Sequence, residues 1–250
     1  MIVGGARRWL GHGVTLGQRM AAVDGRASGF DYLRLALALL IVFFHSFAQQ
    51  TPEPETARFF TKGAGRILSH PLVPMFFGLG GFLVAGSLDR TRSLVTFLGL
   101  RVLRIFPALW VDILFSALVI GPLLTTLPLE SYLSDPEFRR YFLNLAGDIQ
   151  YLLPGLFTGN PTPQVNSQLW TVPWDLFGYA LLSVFTMLGF YRTRRTFLLL
   201  AFGSQVVFPA GYFFARYALG YAEIISELRL IVVPCFLVGV TFHLYRDIVV

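Results

Sequence analysis

Long apolar stretches separated by short polar segments make up most of this chain. A membrane-crossing helix needs about 20 mostly apolar residues. The pattern predicts six spans, near residues 31–50, 71–88, 101–127, 168–190, 196–214 and 228–245. The predicted fold is therefore all-α, a polytopic transmembrane helical bundle.

The segments outside these spans set the domain organisation. Residues 1–29 are predicted to be a cytosolic tail, because Arg7 and Arg8 precede apolar runs that are too short for a signal peptide. Residues 30–250 are predicted to form one transmembrane domain. The segment 128–167 is rich in Pro and Gly, which indicates an irregular loop between spans.

The composition favours the membrane as the solvent of this chain. Hydrophobic residues make up 55% of it and charged residues 14%, whereas a soluble domain carries roughly 25% charged residues. This excludes an ordinary soluble domain and a disordered chain. A single cysteine, Cys235, excludes an intramolecular disulfide, and the four histidines lack the spacing of metal ligands, so no metal is expected.

The net charge of +6 comes from basic residues placed between the apolar spans. A topology with a cytosolic N-terminus puts most of them on the inner side, which agrees with the positive-inside rule. Nucleic-acid binding would need a basic stripe or run, so no nucleic-acid partner is expected. The expected location is a cell membrane that the chain crosses several times.

Arg34 and His45 lie in the first predicted span, where ionisable side chains are costly and are candidates for function. Their separation of 11 residues puts them on one side of a helix, about 16 Å apart along it. One interpretation is a site for a long anionic ligand, with Arg34 at its charged end and His45 as general base. The other is an interfacial arginine and a packed, hydrogen-bonded histidine.

Arg101 and Arg104 share a face at the cytosolic end of the third predicted span. They form either a phosphate clamp or a positive-inside anchor. Asp112 is expected at a depth near that of His45. There it either orients His45 or pairs with Arg104 or another group.

Polar groups also cluster where the fourth predicted span begins. Asp175 follows Trp170 closely, and Tyr179 lies one helical turn after Asp175. Tryptophan is common at membrane interfaces, but a carboxylate beside it is less so. In the second span, Gly80 belongs to a glycine-rich stretch that permits either close helix packing or the approach of a ligand.

Four segments, in this order, resemble the acyltransferase-3 family of bacterial membrane O-acyltransferases. They are Arg34 and His45 with Asp31, Leu33, Ala36 and Val42, the stretch FFGLGGFL at 76–83, Arg101, Arg104, Ile105 and Pro107, and Leu169, Trp170, Thr171, Asp175 and Tyr179. In the family these segments read R-x10-H, FF-x-L-S-G-F-L, R-x-x-R-I-x-P and L-W-T-L-x-x-E-x-x-x-Y. The resemblance covers residues 30–190.

The resemblance implies an enzyme of the bacterial inner membrane that moves an acyl group, usually acetyl, from acyl-CoA to a hydroxyl of an envelope glycan or glycolipid. Acyl-CoA (acetyl-CoA) is then a co-substrate, with no permanently bound cofactor. Arg34 and His45 correspond to the family's catalytic pair, and Arg101 and Arg104 to its CoA-handling arginines. His45 would deprotonate the acceptor hydroxyl or carry the acyl group itself, and Asp175 would place the acceptor or hold the outer gate.

The sequence departs from the family in three ways. Gly80 stands where the family commonly has Ser, and Asp175 stands where it has Glu. The family also has several more helices than the six predicted here, so a short or truncated member is expected. Two alternatives stay open: a membrane carrier of the flippase type, which would use the same charges as a path, and an inactive truncated member.

Overall fold

A computed structural model of the chain describes residues 13–23, 28–48, 55–61, 63–91, 93–160, 162–218 and 227–249. Within these ranges the regular structure is helical, without a β-strand. The α-helices are α1 Leu16–Ala21, α2 Ser28–Ala48, α3 Glu55–Thr61, α4 Arg66–Ser69, α5 Leu72–Thr91, α6 Leu94–Phe115, α7 Gly121–Leu124, α8 Leu129–Ser134, α9 Pro136–Tyr141, α10 Val172–Met187, α11 Arg194–Ala218 and α12 Glu227–Leu244.

The structure confirms the all-α fold, and each predicted span corresponds to a helix. Among the described residues, four helical stretches are long and apolar enough to cross a membrane: Gly29–Ser46, Arg66–Thr91, Leu94–Leu124 and Arg194–Ala218. The other two are shorter, since α10 has 16 residues and the apolar part of α12 is Arg229–Leu244. Six crossings and a cytosolic N-terminus therefore stay predictions.

Helices α5 and α12 form the central pair of the bundle, with α2 packed on α5 and α11 on α12. A Cβ atom added to Gly81 would clash with the backbone of Phe236 on α12. One added to Gly239 would clash with the carbonyl of Gly78 on α5. Small residues thus let the two backbones approach closely, which is the packing that small residues allow in transmembrane bundles.

The segment between α7 and α10 is more regular than the predicted loop. It contains the short helices α8 and α9. The sequence pattern did not predict them, because the Pro and Gly residues that indicated a loop here separate short helices from each other. Tyr132 of α8 and Tyr141 of α9 are fully buried. They pack with Leu109 and Ile113 of α6, so the segment forms a folded cap on the end of α6.

A π-helical turn, Ser116–Ile120, joins α6 to α7, which leads into this cap. The amide of Gly121 donates to the carbonyl of Ser116, five residues earlier. The Tyr132 hydroxyl donates to the neighbouring carbonyl of Ala117 at 2.8 Å. A Cβ atom at Gly121 would clash with that hydroxyl, so the widened turn, the glycine and the tyrosine form one unit.

The two ends of the described chain meet at the other end of the bundle. The amide of Leu16 donates to the carbonyl of Val249 at 2.8 Å, and the amide of Gly17 donates to that of Arg246 at 2.7 Å. Helix α1, within the predicted cytosolic tail, is therefore docked on the segment that follows α12. Arg7 and Arg8, on which the prediction of that tail rests, lie outside the described residues.

Candidate active site

Arg101 of α6 is buried between three helices, with 7% of its surface exposed. Its Nη2 donates to the hydroxyl of Ser87 on α5 at 2.7 Å. Its guanidinium carbon lies 5.5 Å from the ring centre of Phe97 and 5.9 Å from that of Tyr179 on α10. The Nε atom is buried and has no hydrogen-bond partner in the described part of the chain. A buried cation with a free donor is a place where an anion can bind.

Arg104 lies one turn further along α6 and is exposed. It is close enough to Asp175 and Tyr179 of α10 for an electrostatic interaction with both. Asp175 stands in the first turn of α10. The structure therefore brings together four residues singled out from the sequence, namely Arg101, Arg104, Asp175 and Tyr179, in one cationic region.

His45 is half-buried near the end of α2, and one of its ring nitrogens is fixed by the backbone. Its Nδ1 atom lies 2.8 Å from the carbonyl oxygen of Ile41. A carbonyl oxygen only accepts hydrogen bonds, so Nδ1 carries the proton of this contact. In the neutral ring the lone pair is then on Nε2, which is the form a general base requires.

A cavity of about 440 Å³ opens beside His45. It lies between the end of α2 and the segment that precedes α10. Its lining combines the imidazole with hydroxyl and amide side chains: His45, Ser46, Asn160, Gln164, Ser167 and Gln168, together with Asn166. We call this cavity the His45 cleft. It offers a base beside several groups that both donate and accept hydrogen bonds.

Asn166 connects the wall of the His45 cleft to α6. Its backbone is left-handed, with φ 55°, and its Nδ2 lies 2.9 Å from Oδ2 of Asp112. The same nitrogen lies 2.8 Å from the Ser116 hydroxyl and 3.2 Å from that of Tyr141. Burial raises the pKa of Tyr141 to about 12, so that residue stays a neutral phenol.

The sequence left three partners open for Asp112, namely His45, Arg104 or another group. Within the described ranges neither His45 nor Arg104 bonds to this carboxylate. Asp112 instead accepts from Asn166, which lines the His45 cleft. It reaches the cleft through one intermediate side chain, because the segment before α10 folds back between α6 and α2.

The structure also gives the surroundings of three further residues proposed from the sequence. The Arg34 guanidinium stands over the Phe76 ring of α5, 5.1 Å from its centre. The ring of Trp170 is covered by Arg229 of α12 at 5.6 Å. A Cβ atom on Gly80 would meet nothing within 4 Å, so Gly80 faces open space, unlike Gly81.

The structure thus has two separate regions linked by α6, which are the cationic region around Arg101 and the His45 cleft. Arg101 and Asp112 are 11 residues apart, or about 16 Å along the helix. Sequence reasoning missed Ser87, which carries no signal inside an apolar span. It also missed the role of Asn166, for which the sequence has one clue, since Asn accepts left-handed backbone more readily than most residues. Within the described ranges no three ligating side chains could hold a metal ion.

Comparison with known proteins gives a family and two curated relatives. The profile of the acyltransferase-3 family, described as an acyltransferase domain, matches residues 28–249. An O-acetyl transferase of Shigella phage Sf6 is 27% identical over 162 residues, which are 64% of this chain and 46% of the phage protein. Nodulation protein 10 of Rhizobium leguminosarum bv. viciae is 37% identical over 91 residues, 36% of this chain and 24% of that protein.

The matched segments cover less than half of the length of either relative. No solved structure gives a significant match to the chain.

Proposed function

Because the chain belongs to the acyltransferase-3 family, we propose that it transfers an acyl group from acyl-CoA to a hydroxyl group. The acyl group is acetyl in this proposal, in line with the name of the phage relative. The acceptor is a glycan or glycolipid of the cell envelope, and the protein works in the bacterial inner membrane, which it crosses several times.

The observation that carries the proposal is the hydrogen bond that holds the His45 ring. Its Nδ1 is engaged by the Ile41 carbonyl, so the basic Nε2 is left for a ligand in the His45 cleft. The cleft is lined by amides and hydroxyls, which suit a substrate rich in hydroxyl groups. A base beside a hydroxyl-binding surface is what O-acyl transfer needs from its acceptor side.

The second region supports a donor with a charged head and a long arm. Arg101 and Arg104 can bind phosphate oxygens, and Arg101 holds an unused buried donor. Along α6, Arg101 lies about 16 Å from Asp112, whose partner Asn166 belongs to the wall of the His45 cleft. Acyl-CoA combines phosphates at one end with a thioester at the end of a flexible chain, so it can occupy both regions at once.

The proposed reaction begins when Nε2 of His45 removes the proton of the acceptor hydroxyl. The acceptor oxygen then forms a bond to the thioester carbonyl carbon, and the carbon–sulfur bond breaks. The proton on His45 passes to the leaving CoA thiolate. Arg34, which the helical spacing places on the same side of α2 as His45, contributes positive charge to the donor. The carboxylate of Asp175 offsets part of the charge of Arg104.

The proposal is tested with membranes that contain the chain and radiolabelled acetyl-CoA. Label entering the polysaccharide and glycolipid fractions is followed for the unaltered protein, for His45→Ala and for the control His70→Ala. His70 bonds to Arg66 outside the His45 cleft. Loss of a general base lowers the rate by roughly 10²–10⁴-fold.

Label transfer that is lost in His45→Ala and kept in His70→Ala supports the proposal. Equal transfer by both variants would show that His45 is not the base. An unaltered protein that transfers no label would contradict the proposed activity itself.

A further inference from the structure

A second polar cavity lies on the cap, next to the His45 cleft. Its volume is about 280 Å³. Its lining includes a carboxylate, a guanidinium, two amides and an aromatic ring: Glu137, Arg140, Gln150, Gln164 and Tyr151. We call it the outer cleft. Gln164 also lines the His45 cleft, and the proposed reaction uses none of the other residues of the outer cleft.

Gln164 lines both cavities. Its side-chain amide makes no hydrogen bond within the ranges that the structure describes, so both its donor and its acceptor are available. The next residue, Val165, is buried, and its amide donates to the carbonyl of Tyr151 at 2.7 Å. The half-buried side-chain amide of Gln164 therefore joins the two clefts. The backbone next to it is held in place by the hydrogen bond of Val165.

The wall of the outer cleft is held in place by Asn144, which is completely buried. Its Oδ1 accepts from the amide of Gln150 at 2.9 Å, and its Nδ2 donates to the carbonyl of Gln150 at 2.9 Å. Nδ2 also lies 2.7 Å from the Tyr141 carbonyl. A cleft built on a buried, fully bonded amide is preformed, which lowers the ordering cost of binding.

The chemistry of the outer cleft matches a sugar ring. Amide, guanidinium and carboxylate groups each form hydrogen bonds with neighbouring hydroxyls, and the Tyr151 ring offers an apolar face to the flat side of a sugar. The His45 cleft alone is about 440 Å³, near the lower end of the roughly 300–1,000 Å³ of small-molecule sites. An extended ligand would fill both.

We propose that the two clefts form one groove for an extended glycan, in which His45 meets the reacting hydroxyl and the outer cleft binds the adjoining sugar units. This inference rests on the proposed function for the identity of the acceptor. It adds that the acceptor has at least two sugar units and that Tyr151, Arg140 and Gln164 select for them. A single sugar would occupy the His45 cleft only.

The test measures glycan binding without an acyl donor. The full chain in lipid nanodiscs is applied to an array of bacterial O-antigen and exopolysaccharide fragments that contain one to four sugar units. The variants are Tyr151→Ala and Arg140→Ala. Arg139→Ala is the matched control, because Arg139 is an exposed neighbour on α9 that lines neither cleft.

The unaltered chain is expected to bind fragments of two or more units at least about tenfold more tightly than the single sugars. Each outer-cleft variant is expected to lose at least about fivefold of that affinity, in line with the loss of one hydrogen bond or ring contact, while Arg139→Ala does not. Equal binding of single and linked sugars would overturn the proposal, as would unchanged binding by both variants or no binding to any fragment.

Acetyl transfer is measured separately on the same preparations. Length-dependent binding that both variants lose, in a chain that transfers no acetyl group, would support the groove and contradict the proposed activity. Acetyl transfer that His45→Ala abolishes, combined with variants that bind long fragments normally, would support the activity and contradict the groove.

Discussion

Nη2 of Arg101 donates a 2.7 Å hydrogen bond to the hydroxyl of Ser87, which joins α6 to α5 inside the bundle. The guanidinium is buried and lies between the rings of Phe97 and Tyr179. A long side chain loses much rotational freedom when it is fixed in this way. Ser87 therefore sets the direction in which the remaining donors of Arg101 point.

Ser87→Ala should weaken the binding of acyl-CoA and leave the chemical step nearly intact. The change removes a hydrogen bond to a charged group, worth about 1.5–3 kcal/mol. The KM for acetyl-CoA should rise roughly tenfold or more, with a smaller change in kcat. Ser204→Ala is the matched control, because Ser204 is buried but bonds to its own helix. An unchanged KM in Ser87→Ala would show that Ser87 does not position Arg101 for the donor.

Asp112 is predicted to act by holding Asn166, not by its charge on His45. Asp112→Ala removes the 2.9 Å contact to Nδ2 of Asn166, whereas Asp112→Asn keeps an oxygen that can accept it. Asp112→Ala should lower kcat/KM for the acceptor by about tenfold, the cost of one strong hydrogen bond. Asp112→Asn should lower it by less.

Steady-state acetyl transfer at varied acceptor concentration distinguishes the two variants. If Asp112→Asn lost as much activity as Asp112→Ala, the negative charge would be the active element. Asp112 would then act on a cation in the site.

The charged candidate residues could be selected from the sequence because each of them interrupts a long apolar stretch. Arg34, His45 and Arg101 interrupt apolar spans, where a charge has few structural uses. Their helical spacing also predicts which of them share a face. The partner of Asp112 could not be predicted, since it depends on how the segment before α10 folds back from the cap. Ser87 gives no signal, because a serine in an apolar helix can bond to a carbonyl of its own preceding turn and so does not need a partner on another helix.

The fold shows the same division between local and long-range information. Every span predicted from hydropathy corresponds to a helix, because hydropathy depends on the apolar residues of each segment alone. It missed α8 and α9, whose stability comes from the burial of Tyr132 and Tyr141 against α6. Contacts between distant segments do not appear in a local pattern.

Neighbouring glycines on α5 should respond differently to alanine. Gly81 has no room for a Cβ atom against the backbone of Phe236, whereas nothing lies within 4 Å of a Cβ atom at Gly80. Gly81→Ala must separate α5 from α12, and overpacking of this kind costs about 1–3 kcal/mol. Gly80→Ala should be neutral or stabilising, because alanine favours the helix by up to about 1 kcal/mol.

Thermal unfolding of the detergent-solubilised variants, followed by size-exclusion chromatography, measures both effects. A lower midpoint for Gly81→Ala with an unchanged or higher midpoint for Gly80→Ala is the expected result. Equal midpoints for the two variants would contradict the close contact of α5 with α12.

Tyr132→Phe should loosen the cap without altering the charges of the site. The hydroxyl of Tyr132 satisfies the Ala117 carbonyl in the widened turn that follows α6. Removing it leaves that carbonyl buried without this donor, at a cost of about 1–3 kcal/mol.

Since the cap carries Asn144 and the outer cleft, the loss should appear first as faster hydrogen exchange in the segment 129–165, ahead of any change in the α5–α12 pair. Tyr217→Phe, at a residue that is 75% exposed, is the control. Uniformly faster exchange across the whole bundle would show that the cap is not a separate unit and that the hydroxyl supports the entire fold.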